Sequence, residues 1–330
     1  MRIVETVSDL QRLADAERAA GRRIALVPTM GALHAGHLSL VDVARKRADR
    51  VWVSIFVNPT QFNEANDLSD YPRTLEADLE ACEVAGVDAV FLPDAGAMYP
   101  PDSQTWVDVT ELALPLCGRT RPGHFRGVTT IVSKLLLAAK PHVAVFGEKD
   151  YQQLAVIRRM VRDLGFDVEV AGAPTLREAD GLAMSSRNEN LDPEARRQAT
   201  ALVRALDAAE SALAAGEADR DRLLGLVARE IAKAPLATID YAELRDPVSL
   251  APAPATLEKP ALLALAVFFE PGDPAAGTRV RLIDNRVLQP QLEREDLASR
   301  SAPRSDRRPT APASETRIWV TRAESPSTRI

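Results

Sequence analysis

The stretch VPTMGALHAGHLSLV, Val27 to Val41, carries two of the chain's four histidines, His34 and His37. They stand three residues apart, between an apolar run and a helix-like segment. The run before them, RIALVP (Arg23 to Pro28), has the pattern of a buried strand. A turn containing Gly31 follows, and helical spacing begins near Gly36 or His37. A strand, a turn and a helix start, in that order, aim free backbone N–H groups at an anion. Gly31 and Gly36 permit the close backbone approach that a phosphate requires. Imidazoles at i and i+3 around a helix start point the same way, so both can reach one phosphate group. The same side chains can instead cap the helix or pack in a polar cleft, and the segment alone leaves both readings open. It is not the lysine-bearing phosphate loop, because no Gly-Lys-Ser/Thr is present, and the three-glycine dinucleotide fingerprint is missing.

Outward from this stretch the chain alternates. RVWVSIFVNP (Arg50 to Pro59), VDAVFLP, HVAVFG (His142 to Gly147) and FDVEVAG read as strands. LSLVDVARKRA (Leu38 to Ala48), RTLEADLEACEVAG, VTTIVSKLLLAAK and DYQQLAVIRRMVRDLG read as helices, with Gly86 stopping the second. Alternation of this kind implies a parallel sheet covered on both faces, with ligands bound at the carboxyl ends of its strands. Near Leu176 the pattern changes. Two long helices, about Pro193 to Ala215 and Ala218 to Ala234, precede the strand-like runs TIDYAELRD, ALLALAVFF and TRVRLIDN, which suggests a small α+β domain with an antiparallel sheet. EPGDPAAG (Glu270 to Gly277) reads as a loose turn inside that sheet. From about Gln289 the composition turns to Arg, Ser, Pro and Glu, and residues 289–330 are expected to form a disordered tail.

Composition bounds the function. A chain of 330 residues makes one large or two ordinary domains. With 46% hydrophobic and 27% charged residues it can bury a sizeable core. A net charge of -6 argues against a nucleic-acid or anionic-membrane partner, though a local basic pocket stays open. No apolar run approaches the roughly 20 residues that span a bilayer. MRIVETVSDLQRL reads as a strand and an amphipathic helix rather than a signal peptide. Cys82 and Cys117 have no metal-type spacing, so a cytoplasmic, reducing location is expected.

Four further segments sit where the parallel sheet would gather its ligand loops. NPTQF (Asn58 to Phe62) offers the amides of Asn58 and Gln61 to a small polar substrate, or forms a plain Asn-Pro turn. GEKDYQQL (Gly147 to Leu154) puts Lys149 at the rim, with Gln153 one helical turn on; it is a phosphate grip or a solvated helix start. DGLAMSSRN sets two hydroxyls beside Arg187 in a flexible loop, able to fold over a triphosphate or merely to link domains. RPGHFRGVTT (Arg121 to Thr130) places Arg121, His124 and Arg126 before a helix N-terminus.

Taken together, PTMGALHAGH, VSIFVNPTQF, YPRT, RPGHFRGVTTIVSKL, FGEKDYQQL and DGLAMSSRN resemble the pantothenate synthetase (pantoate–β-alanine ligase) family in order and spacing. The resemblance covers about Met1 to Leu288, including RLIDN near its end. His-x-Gly-His alone points only to the wider nucleotidyltransferase superfamily; NPTQF with RPGHFRGV and GEKDYQQL is more specific. The resemblance implies a Rossmann-like α/β domain over residues 1–175 that binds nucleotide and pantoate. A C-terminal α+β domain, residues 176–288, would close over the site. It implies ATP-dependent condensation of (R)-pantoate with β-alanine through pantoyl adenylate, releasing pyrophosphate and AMP. In-line positioning and charge neutralisation would drive the transfer at phosphorus.

The residue roles that follow are likewise implied by the resemblance. Met30, Gly31, Ala32, Leu33, His34, Ala35, Gly36 and His37 would cradle ATP. His34 and His37 would donate hydrogen bonds to the phosphates, with His37 as proton donor or charge stabiliser, either neutral or charged. Lys149, with Met184, Ser185, Ser186 and Arg187, would grip the triphosphate. Gly147, Glu148, Asp150 and Leu176 would lie against the nucleotide. Gln61 and Gln153 would hold pantoate, Gln61 also meeting β-alanine. Mg²⁺ would neutralise phosphate charge, its protein ligands unassigned. Glu64 to Tyr71 would be a mobile cover, and the protein a homodimer. EPGDPAAG is longer than the family's usual hairpin turn, and the tail has no counterpart. Two other functions compete with the ligase: a nucleotidyltransferase that stops after nucleotide transfer, and a non-catalytic nucleotide-binding module.

Overall fold

Runs of adjacent aliphatic residues can be buried only where both faces of a strand are covered, and the structure meets that demand. The computed structural model of the chain describes residues 1–62, 71–272 and 278–290. Six strands form a parallel sheet: β1 (Arg2–Val4), β2 (Ile24–Thr29), β3 (Arg50–Ile55), β4 (Ala89–Phe91), β5 (Val143–Gly147) and β6 (Glu169–Ala173). Alternate residues of β2 serve opposite cores. Ile24 and Leu26 pack with α1 (Val7–Ala19), α4 (His124–Ala139) and α5 (Tyr151–Leu164). Ala25 and Val27 pack with α2 (Ala35–Arg45) and α3 (Leu75–Val84). Period-2 side-chain alternation does the sorting.

The strand order is β1-β4-β3-β2-β5-β6. From β2 the chain steps outward through β3 and β4, then returns to lay β5 and β6 on the other side. The order therefore reverses between β2 and β5, which in such sheets is where ligands bind. These two strands pair through Ala25–Val143 and Leu26–Ala144. Their carboxyl ends carry Pro28, Thr29, Phe146 and Gly147 into the wall of a cleft.

The rest of the described chain holds α6 (Pro193–Ala199), α7 (Ala201–Ala214), α8 (Arg220–Ala232) and an antiparallel sheet, β7 (Ala237–Arg245), β8 (Ala261–Phe269) and β9 (Val280–Leu288), in the order β7-β8-β9. ALLALAVFF is β8, and it is apolar throughout because it is buried on both sides. Leu262, Ala264 and Ala266 join the core of the parallel sheet, while Leu263, Leu265, Val267 and Phe269 join the core under α6, α7 and α8. The small sheet is thus a middle layer.

Three expectations shift. The helix expected over Pro193 to Ala215 breaks at Thr200, between α6 and α7, where the Thr200 hydroxyl donates to the Arg197 carbonyl at 2.8 Å and accepts from Arg204 at 2.6 Å. The helix expected from Val128 starts at His124, so His124 and Arg126 lie inside α4 rather than before it. The DGLAMSSRN segment is no loose loop. Backbone pairs Glu178–Leu182, Arg177–Ala183 and Leu176–Met184 make a small hairpin, followed by a 3₁₀ turn at Ser186–Asn190. Of the remaining readings, most of the cover at Glu64 to Tyr71, most of the EPGDPAAG turn and nearly all of the tail lie outside the described residues.

Candidate active site

The histidine turn carries the capping role, and both rings line the cleft. His34 is the N-cap of α2, and its Nδ1 accepts the Gly36 N–H at 3.1 Å. Nδ1 of His37 accepts the His34 N–H at 3.4 Å, completing a reciprocal capping box. The rings lie 4.1 Å apart, centroid to centroid. Gly36 fits because a Cβ there would stand 2.7 Å from the His34 ring. Burial, then the charges of His34 and Lys149, push the His37 pKa down to about 3. Burial and the Lys149 charge also lower that of His34. Both rings are therefore neutral near pH 7. With each Nδ1 accepting, the proton sits on Nε2, so each ring keeps one N–H donor on its far side.

The amides just upstream behave differently. Ala32 and Leu33 donate their N–H groups to the buried Asp78 carboxylate of α3, at 2.9 and 2.7 Å. Gly31, Ala32, Leu33 and Ala35, assigned to the nucleotide cradle from the sequence, do not line the cleft. Asp78 takes these two amide donors and locks the turn beneath the histidines.

The NPTQF segment lies at the carboxyl end of β3. Asn58 is buried, and its Nδ2 donates to Gln61 Oε1 at 3.0 Å and to the Gly127 carbonyl of α4 at 3.1 Å. Gln61 Nε2 meets the Met30 sulfur at 2.8 Å. His124 sits 2.7 Å from the Gln61 main-chain carbonyl through Nδ1, which must donate because a carbonyl only accepts. Burial, then the Arg121 charge, push the His124 pKa to about 4. α4 comes this close because residue 127 is glycine: a Cβ there would lie 2.4 Å from the Thr60 carbonyl oxygen. His124 thus supports the Gln61 turn, a role its motif did not reveal.

Across the cleft stand Gly147, Lys149 and Asp150, then Gln153 on α5, and Leu176, Met184, Ser185, Ser186 and Arg187 on the hairpin and its 3₁₀ turn. Ser185 caps that turn by accepting the Arg187 N–H at 3.3 Å. Glu148 is not in the wall; its carboxylate lies against Gly172, where a Cβ would come within 2.9 Å of Oε1. The cleft, about 230 Å³, brings together Met30, His34, Gly36, His37, Gln61, Gly147, Lys149, Asp150, Gln153, Leu176 and Met184 to Arg187. Sequence reasoning missed its apolar floor, Phe56 with Val128, Ile131, Val132 and Leu135 of α4. Those four follow i, i+3, i+4, i+7 spacing, a signal present in VTTIVSKL but indistinguishable there from ordinary core packing.

A parallel sheet with paired neutral imidazoles, a lysine and an arginine around its switch point defines a Rossmann-like protein built to hold a polyanionic ligand. The family model described as Pantoate-beta-alanine ligase matches residues 2–287. The chain belongs to the pantoate–β-alanine ligase family, and its activity is the ATP-dependent condensation of pantoate with β-alanine. It is 53% identical to the pantothenate synthetase of Geobacter sulfurreducens over 288 residues, covering 87% of this chain and 99% of that one. It is 52% identical to that of Geotalea daltonii, with the same coverage. Among solved structures, pantothenate synthetase from Thermus thermophilus superposes with a TM-score of 0.79 at 43% identity, covering 88% of this chain and 100% of that one. Pantoate-beta-alanine ligase from Francisella tularensis, complexed with beta-gamma ATP and beta-alanine, gives a TM-score of 0.69 at 33% identity, covering 87% and 97%.

Proposed function

We propose that this cleft runs the condensation in two steps on the residues it gathers. The pantoate carboxylate attacks the α-phosphorus of ATP, forming pantoyl adenylate and expelling pyrophosphate. The amine of β-alanine then attacks the acyl carbon, its nitrogen forming the amide as AMP leaves with the acyl C–O electron pair. The carrying observation is the pair of neutral imidazoles at the switch point, each capped through Nδ1 and so left with one Nε2–H. Two aimed donors suit charge that grows on phosphate oxygens during transfer. His37 acts in this reading as a hydrogen-bond donor. Proton donation from an imidazolium has little support in the ligand-free cleft, because the ring holds its extra proton only near pH 3.

Lys149 and Arg187 would neutralise the triphosphate, with the Ser185 and Ser186 hydroxyls beside them. Gln61 and Gln153 would hold pantoate's hydroxyls and carboxylate, while the apolar face of α4 accepts its dimethyl carbon. Gln61 would also meet β-alanine. Mg²⁺ belongs to the same reading and supplies neutralisation of phosphate charge. Such an ion keeps several waters and takes one or two carboxylates plus phosphate oxygens. Asp150, the acidic residue lining the cleft among those described, is the carboxylate that fits.

The same reading divides the chain at residues 175 and 176, the second unit closing over the site, and makes the protein a cytoplasmic homodimer. Light scattering on the purified protein tests the dimer. AMP release with each substrate omitted in turn tests the reaction. Release that needs both pantoate and β-alanine is expected. Full AMP turnover without β-alanine would replace the ligase with a nucleotidyltransferase, and no turnover at all would leave a binding module.

A further inference from the structure

We infer that Asp284 and Asn285, adjacent on β9, are positioning residues that hold the phosphate-gripping wall of the cleft in register. The inference rests on the assignment of Lys149 and Arg187 to the triphosphate.

Asn285 is half-buried, and its Nδ2 donates to the main-chain carbonyls of Glu148, at 3.0 Å, and Lys149, at 2.8 Å. The segment it grips has no side-chain cap of its own. Neither Gly147, at the start of the 3₁₀ turn Glu148–Asp150, nor Asp150, at the start of α5, makes a side-chain cap. A helix start without a cap leaves its first turn under-determined. The tie comes instead from a strand 136 residues further along the chain. Register between β8 and β9, with Asn285 opposite Ala264, fixes where that amide points.

The neighbouring residue does the same for the other cation. The Asp284 side chain is fully buried and takes a bidentate pair from Arg177, at 2.7 and 3.0 Å. Arg177 also donates to the Gly181 carbonyl at 3.0 Å, across the hairpin that ends in Met184 and delivers Ser185 to Arg187. A buried Arg–carboxylate pair adds little net stability over an apolar pair of equal volume, but it defines geometry well. Strand alternation sends the two side chains to opposite faces of β9. One dipeptide therefore reaches both cation-bearing segments, which are far apart in sequence. It is the end of the RLIDN motif, to which the sequence assigned no task.

The test uses the full chain, with AMP release followed while ATP, pantoate and β-alanine are varied separately. Asn285→Ala leaves the two carbonyls without their donor; Asn285→Ser, whose single, shorter O–H cannot serve both, is used if the alanine variant does not fold. The expected result is a rise in KM for ATP of about tenfold, the scale of one lost hydrogen bond, with KM for β-alanine unchanged. Combined with Lys149→Ala, Asn285→Ala should add nothing further, because both act on one group. A folded Asn285 variant with unchanged KM for ATP, or full additivity with Lys149→Ala, overturns the inference. Unchanged ATP kinetics in Lys149→Ala alone would instead remove the Lys149 assignment, and the inference with it.

Discussion

The two sides of the cleft are built by opposite means. On the histidine side, His34, Gly36 and His37 cap one another within one turn, and a single carboxylate from the next helix holds the amides beneath them. On the cation side, the Lys149 turn carries no cap of its own and the Arg187 segment is anchored through Arg177; both lean on β9. The difference teaches where precision has to be local. Two imidazoles must share one tautomer and one direction, which short-range hydrogen bonds specify. Two cations need only stand at the right separation, which a rigid strand can supply from far away.

The largest expected effect breaks the histidine side. His37→Ala should lower AMP release at least about 10²-fold, as loss of one transition-state donor does. Retention of more than a tenth of wild-type turnover would remove His37 from the chemistry. His34 separates capping from catalysis more finely. His34→Asn keeps a cap acceptor for the Gly36 N–H and loses the ring donor, so activity should fall while thermal stability holds. His34→Ala should lose activity and, in addition, about 1 kcal/mol of stability, the usual worth of an N-cap. Equal melting temperatures for the two variants would contradict the capping role.

Acid should strike the same side. His37 and His124 are held neutral in the fold, with pKa values near 3 and 4 against 6.5 for a free imidazole. The unfolded chain therefore binds more protons between those values, so the ligand-free protein is fully stabilised above about pH 6.5 and loses stability as pH falls toward 4. Denaturation midpoints across that range measure the slope, and His37→Asn should flatten it. The smallest effect concerns neither side. Both lie within residues 1–290, so deleting residues 291–330 should leave the kinetic constants unchanged in the same assay.

Much of this was legible in the sequence. The parallel strands were visible because burial on both faces demands unbroken aliphatic runs, as in IALVPT and VAVFG. Glycines and loop polarity marked the strand ends where ligands gather. The assignment of Gln153 to pantoate came from the family resemblance. In the fold the adjacent Gln152 turns inward and ties the main chain at Leu112, Pro115 and Cys117, at 3.0, 2.7 and 3.0 Å. Neighbouring helical residues face directions about 100° apart, which is what separates them. Less visible were the residues whose work is support. Asp78, His124 and Asn285 hold main-chain groups far along the chain, and a side chain that bonds to distant backbone has no partner that spacing can reveal. The apolar floor from α4 was hidden for a related reason, since a stripe that lines a cleft and a stripe that meets core follow the same period.

The sequence by itself determined the sheet, the loops at its carboxyl ends and the residue types offered to the reaction, because these depend on local periodicity, glycine placement and functional groups. Only the tertiary structure decided that the histidines are neutral, that the Ala32 and Leu33 amides belong to Asp78, and that β9 reaches across to hold the Lys149 turn. Charge state follows from burial, and register follows from packing, and both come from contacts between residues far apart in the chain.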